Sequence, residues 1–122
     1  PEQDPQRILE QIGAIADLQV ERCFIHEPAS VSRSDPGVLA LGDAVAGQID
    51  GEVLSVGRDG ASDALSFLQA GIPAVEFGPI GAGHHGPAEW VSIGSLVRYR
   101  QALRDFVRLL PERLAAEAQR EA

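Results

Sequence analysis

Methionine is missing from the 122 residues, and cysteine occurs once. A lone Cys23 excludes an internal disulfide, so the expected compartment is a reducing one, the cytoplasm. The missing methionine bears on completeness. A natural product begins with Met unless it is processed, so a chain opening at Pro1 is expected to be a piece of a longer protein. Long apolar runs are lacking too. None approaches the roughly 20 residues of a membrane span, and the start has no signal-peptide pattern. Positive charge is scarce: 10 Lys and Arg stand against 18 Asp and Glu, a net charge of -8. Nucleic acid and anionic membrane are therefore not expected as partners. There is no HxxxH, HxH or CxxC spacing, so no complete three- or four-ligand metal shell can be read from the chain.

What is present fits one domain with a modest core. Asp4-Pro5 pairs an N-cap with a first-turn proline, and Ile8, Leu9, Ile12 and Ile15 follow at helical spacing. The expectation is a helix over about 5–16. Leu18 to His26 reads as a strand, with Val20 and Phe24 on the face of Leu18 and with Cys23 and Ile25 opposite. Residues 28–35 are polar and turn-rich, a connector. Asp35-Pro36 repeats the helix start, and Val38, Leu41, Val45 and Ile49 form the stripe of a second helix, to about 49. Asp50-Gly51 is expected to stop it. A strand over 53–56 and a glycine-bearing turn then lead into a helix with Leu65, Phe67 and Leu68, ended by Gly71 and Pro73. A strand over 74–77 follows. Ser92 or Gly94 caps a long helix with the stripe Leu96, Leu103, Phe106, Val107 and Leu110. Pro111 opens a new segment or kinks the old one, and 112–122 form a fraying tail. Helix, strand, helix, strand, helix from residue 36 onward argues for an α/β layer on a parallel sheet. The first 27 residues hold one helix and one strand, which cannot bury both faces alone.

The stretch V-E-F-G-P-I-G-A-G-H-H-G-P-A-E-W-V, Val75 to Val91, carries the chemistry. Four glycines and two prolines surround adjacent histidines at the end of an apolar strand. His84 and His85 read either as a metal ligand or general base, or as two plain exposed side chains. In extended backbone they point opposite ways, so one of them at most faces a shared site. His26, Cys23, Asp63 and Glu76 are further donor types without diagnostic spacing. His26 reads as a surface residue and Cys23 as a small packed one. Glu89, four residues after His85, orients its imidazole or is solvated. Trp90 is expected in the core. In the turn before the third helix, Gly60, Ala61 and Ser62 offer backbone N–H groups to an anion, with Arg58 adding charge. The other reading has Ser62 simply capping the helix.

"GASDALSFLQAGIPAVEFGP" followed by "HHGPAEWVS" resembles the C-terminal third of the zinc amidohydrolases that include succinyl-diaminopimelate desuccinylase, carboxypeptidase G and aminoacylase. That family carries a Gly-Thr-Ser-Asp-Ala-like turn, a Gly-Ile-Pro strand, then His-x-x-Asn-Glu-x-Val. His85, Glu89 and Val91 stand in the matching places. Asp4 to Pro28 resembles the last helix and strand of the family's inserted lid, or dimerisation, domain. The resemblance implies an α/β fold: 1–27 as the end of the lid, 28–35 as connector, and 36–122 as the C-terminal half of the catalytic domain.

It also implies two zinc ions, or cobalt, in a cleft, with His85 as the last ligand and Glu89 in its second shell. The bridging aspartate, general-base glutamate and other ligands precede the lid, so no catalytic residue is expected here. The substrate, an N-acyl amino acid or small peptide, would have its carboxylate held at Gly60, Ala61 and Ser62. The partners implied are the N-terminal catalytic half and a second copy in a homodimer. Two departures bear on the substrate. Ala61 stands where Thr is usual and Ala88 where Asn is usual, and Gly81 or Ala82 fills the place of a desuccinylase asparagine before the ligand. The first expectation is thus a fragment of a zinc-dependent amidohydrolase or metallopeptidase, inactive alone. The alternatives are a non-catalytic binding or assembly module of the same architecture, or a small independent α/β protein.

Overall fold

The computed structural model describes residues 4–15, 20–21, 29–57, 60 and 62–120. They divide into two compact units, Pro1–Ser30 and Val31–Ala122.

In the first unit the described element is helix α1, Pro5–Gly13. The Asp4 carboxylate accepts the Gln6 N–H at 3.0 Å, the capping bond that the Asp-Pro pair forecasts. The helix stops short of residue 16, closing on a tight bond from Ile15 N–H to the Ile12 carbonyl at 3.1 Å. Ile8, Ile12 and Ile15 are exposed along it. The strand read over 18–26, with Cys23 and His26, lies largely outside the described residues.

The second unit is organised by a helix pair. Helix α2, Pro36–Ala46, is capped by Asp35, whose Oδ1 accepts from Gly37 N at 2.8 Å and Val38 N at 3.2 Å. It ends at Ala46 with Gly47 as the C-cap, before Asp50-Gly51. Helix α4, Ile93–Arg120, has 28 residues, about 42 Å at the usual rise. It runs through Pro111 without a break. The two helices meet through Ala40, Ala44 and Ala102, which are the buried apolar residues among those described. The Arg113–Asp43 ion pair and a 3.1 Å bond from Gln48 Nε2 to Asp105 Oδ2 flank this seam. The stripe read on α4 holds in part, with Phe106 and Leu110 half-buried. Leu96, Leu103 and Val107 are exposed, and the inward face runs through Ser95, Tyr99, Ala102 and Phe106. Asp35→Ala is expected to lower stability by about 1 kcal/mol by removing the α2 cap, read as a lower Tm in thermal unfolding.

Helix α3, Ala64–Gln69, ends in a Schellman arrangement. Ile72 N bonds to the Phe67 carbonyl at 2.9 Å and Gly71 N to Leu68 at 3.0 Å, with Gly71 at φ 74°. Residues 52–57 and 72–79, which contain the strands read over 53–56 and 74–77, carry neither helix nor ladder. A strand exists only by pairing, and among the described residues the ladder is a short antiparallel one farther on: β1, Gly81–Ala82, with β2, Trp90–Val91. Leu54 and Val56 stand 71% and 74% exposed. The ring of Phe77 stacks 5.1 Å from Tyr99, which ties the 72–79 segment to α4.

Candidate functional site

The histidine loop is a closed hairpin. Gly81 faces Val91 and Ala82 faces Trp90 across the ladder. Two turns fill the space between. Gly86 N bonds to the Gly83 carbonyl at 2.9 Å, and Glu89 N to the Gly86 carbonyl at 3.2 Å. The first turn holds both histidines at its central positions. His85 has φ 62°, and it is the one non-glycine residue with positive φ among those described. Positive φ at the second central position alone is the pattern of a type II turn, which selects glycine or asparagine there. A histidine in that place carries roughly 1–2 kcal/mol of backbone strain. Gly83 enters the turn at φ 76°, and a Cβ on it would lie 2.9 Å from the Ala88 carbonyl oxygen. A Cβ on Gly81 would lie 2.6 Å from the Trp90 carbonyl oxygen. The glycines are thus required by close backbone approach.

Both histidines are exposed. Glu89 partners the first of them: its Oε1 lies 3.4 Å from His84 Nδ1, with the two side chains 56% and 64% exposed. The sequence sets Glu89 behind His85 or in solvent; in the structure its carboxylate meets His84. The left-handed turn at residue 85 removes the extended geometry that the reading assumed. Glu76, His84 and Glu89 line an open cleft of about 660 Å³ with Phe77, Gly81 and Trp90. Trp90, expected in the core, is 53% exposed on its two-residue strand.

Below the hairpin one side chain joins its two ends. Ser95, 3% exposed, donates from Oγ to the Ser92 carbonyl at 2.7 Å and accepts from Ile80 N at 3.0 Å. Ser92 N in turn bonds to the Ile80 carbonyl at 2.8 Å. Ser92 is the residue that caps α4, with Oγ 3.4 Å from Ser95 N. Sequence reading missed Ser95. Its signal was the repeated serine of Ser92-x-x-Ser95 at a helix start.

Ser62 lies elsewhere. Its Oγ accepts from Ala64 N at 3.1 Å, the capping role weighed above. With Asp63 it lines a second open cleft, of about 580 Å³, among Val38, Phe67, Val75 and Phe106. Gly60 is exposed with open space around it, and Ala61 and Arg58 are outside the described residues. Glu76 and Phe77 belong to both clefts, so the 72–79 segment separates the Ser62 turn from the histidines.

The donor set at the loop is imidazole nitrogen with carboxylate oxygen, the types that zinc takes. Among the described residues no three such groups gather into a shell. No helix among the described residues is long and apolar enough to cross a membrane.

The family model for peptidase family M20/M25/M40 matches residues 6–109, from within α1 to near the middle of α4. No curated protein and no solved structure gave a significant match.

Proposed function

The chain belongs to peptidase family M20/M25/M40, and we propose that it is the C-terminal part of a zinc-dependent amidohydrolase acting on an N-acyl amino acid or small peptide. Peptide or amide hydrolysis is the chemistry of that family, whose members are generally metal-dependent. The observation that carries the finer reading is the backbone of His85. A residue held at φ 62° where glycine would sit without strain is one whose side chain is wanted there.

In this reading His85 offers a ring nitrogen as the last metal ligand. His84 and Glu89 steady the loop beside it through their 3.4 Å contact. The bound metal supplies Lewis acidity toward the scissile carbonyl and toward water. The remaining ligands and the general base come from polypeptide that precedes the lid, as does a neighbour strand for 52–57 and 72–79, which have none among the described residues. The exposed Leu54 and Val56 support that assignment, since apolar strand faces of an α/β layer are covered on both sides. Gly60, Ala61 and Ser62 serve the substrate carboxylate, with Ser62 Oγ accepting from Ala64 N and its O–H the donor toward the anion. The lid unit carries the homodimer contact, and the enzyme works in the cytoplasm.

Two measurements test this. Calorimetry on the 122-residue chain is expected to give weak zinc binding, because one ligand cannot close a shell. Tight one-to-one binding would overturn the fragment reading. The longer protein is expected to carry a His-x-Asp and then an adjacent Glu-Glu pair before the lid, and to hydrolyse N-acyl amino acids only with metal.

A further inference from the structure

We propose that Ser95 is the positioning residue of the histidine loop, acting on His85 through the backbone. The inference rests on the reading of His85 as a metal ligand, and goes beyond it to how the loop is held. Ile80 is the last residue before β1, and Ser92 is the first after β2. Those two residues are the entry and exit of the hairpin. One buried hydroxyl touches both, donating to the Ser92 carbonyl at 2.7 Å and accepting from Ile80 N at 3.0 Å. The direct bond from Ser92 N to the Ile80 carbonyl, 2.8 Å, closes the same ring.

The location argues against a merely local role. A serine in the first turn of a helix usually faces solvent or bonds back to the cap. Ser95 makes the back-bond and adds a second bond to a residue outside the helix. It is also the one buried polar side chain among the described residues. The ladder it supports is only two residues long on each side, too short to hold register alone. Beyond the ladder, the turn that holds His85 is strained. The rigid body that keeps this hairpin in place is α4, packed on α2 through Ala102. Ser95 is the link between that body and the loop.

The test compares Ser95→Ala and Ser95→Thr with the parent 122-residue chain. Thr keeps the hydroxyl that Ala deletes. Amide hydrogen exchange is read at Ile80, Gly86 and Glu89 and, as reference, at residues inside α4 such as Arg104. Ser95→Ala is expected to speed exchange in the loop by about tenfold, the weight of one buried hydrogen bond. Exchange inside α4 should hold or slow, since alanine is the better helix former. Ser95→Thr should restore the loop values. Equal acceleration in loop and helix, or none in the loop, would overturn the proposal.

A second readout follows the ring resonances of His84 and His85 during titration with zinc alone. The midpoint for His85 should rise several-fold in Ser95→Ala and return in Ser95→Thr. If zinc moves the His84 ring and leaves the His85 ring unmoved, the metal reading of His85 fails, and the exchange data still decide whether Ser95 holds the loop.

Discussion

His85→Gly is expected to abolish the zinc response of the loop while leaving the chain as stable as before, or slightly more so. The two halves of that result have separate causes. Deleting the imidazole removes the proposed ligand. Loss of even an outer partner of a metal ligand costs about 10–100-fold in affinity, so loss of the ligand itself should cost at least about 100-fold. Stability responds to the backbone. At φ 62° glycine is relieved of roughly 1–2 kcal/mol that histidine bears. Against this stands the greater freedom of glycine in the unfolded chain, about 0.5–1 kcal/mol. The balance lies between zero and a small gain, read as an unchanged or slightly raised Tm.

His85→Ala sharpens the comparison. It removes the same ring and keeps the Cβ, so it retains the strain and should show the lost zinc response without the compensating relief. The neighbouring ring gives the contrary outcome its form. His84 lines the cleft with Glu76 and Glu89, whereas His85 does not. Should zinc keep shifting the His84 resonances at the same midpoint in His85→Gly, the ligand would be His84, and the carry-over from the family pattern would be displaced by one residue.

The helix boundaries were legible where a side chain announces them. Asp4, Asp35 and Gly71 act as the sequence said, because capping and left-handed termination depend on a few atoms close together in the chain. The buried face of α4 was legible only in part from large apolar residues. Leu103 and Val107 suit a core, yet they are exposed, while Ala102 is buried, as are Ala40 and Ala44 on α2. Which residues are buried is set by the partner helix, which a single-helix periodicity does not contain. The strands read over 53–56 and 74–77 show the same boundary of local reasoning. Composition marks a segment as able to pair, and pairing needs a neighbour.

At the site, the glycine loop, its histidines and Glu89 were visible as a cluster. Which histidine meets Glu89 was decided by one dihedral angle at residue 85, a property of the turn that residue types alone left open. Ser95 was hidden for a related reason. Its importance comes from Ile80, 15 residues away in the chain.

Gly83→Ala is expected to damage the loop strongly, and Gly71→Ala provides its measure. Both glycines have nearly the same backbone angle, φ 76° and 74°. A Cβ at Gly71 would meet nothing within 4 Å. Its substitution therefore costs the left-handed conformation alone, about 1–2 kcal/mol. A Cβ at Gly83 would lie 2.9 Å from the Ala88 carbonyl oxygen and 3.2 Å from the Glu89 Cα. These are backbone atoms on the returning arm of the hairpin, so no side chain can rotate away to make room.

Gly83→Ala should then lose the 2.9 Å bond from Gly86 N to the Gly83 carbonyl, speed exchange at Gly86, and lower Tm by more than Gly71→Ala does. The difference between the two variants isolates the close approach from the dihedral. An equal loss would mean that the returning arm gives way at little cost. A loop that pliable could not hold a histidine at positive φ against its own preference. The strain at residue 85 would then follow from how the hairpin happens to close, and it would cease to argue for a ligand.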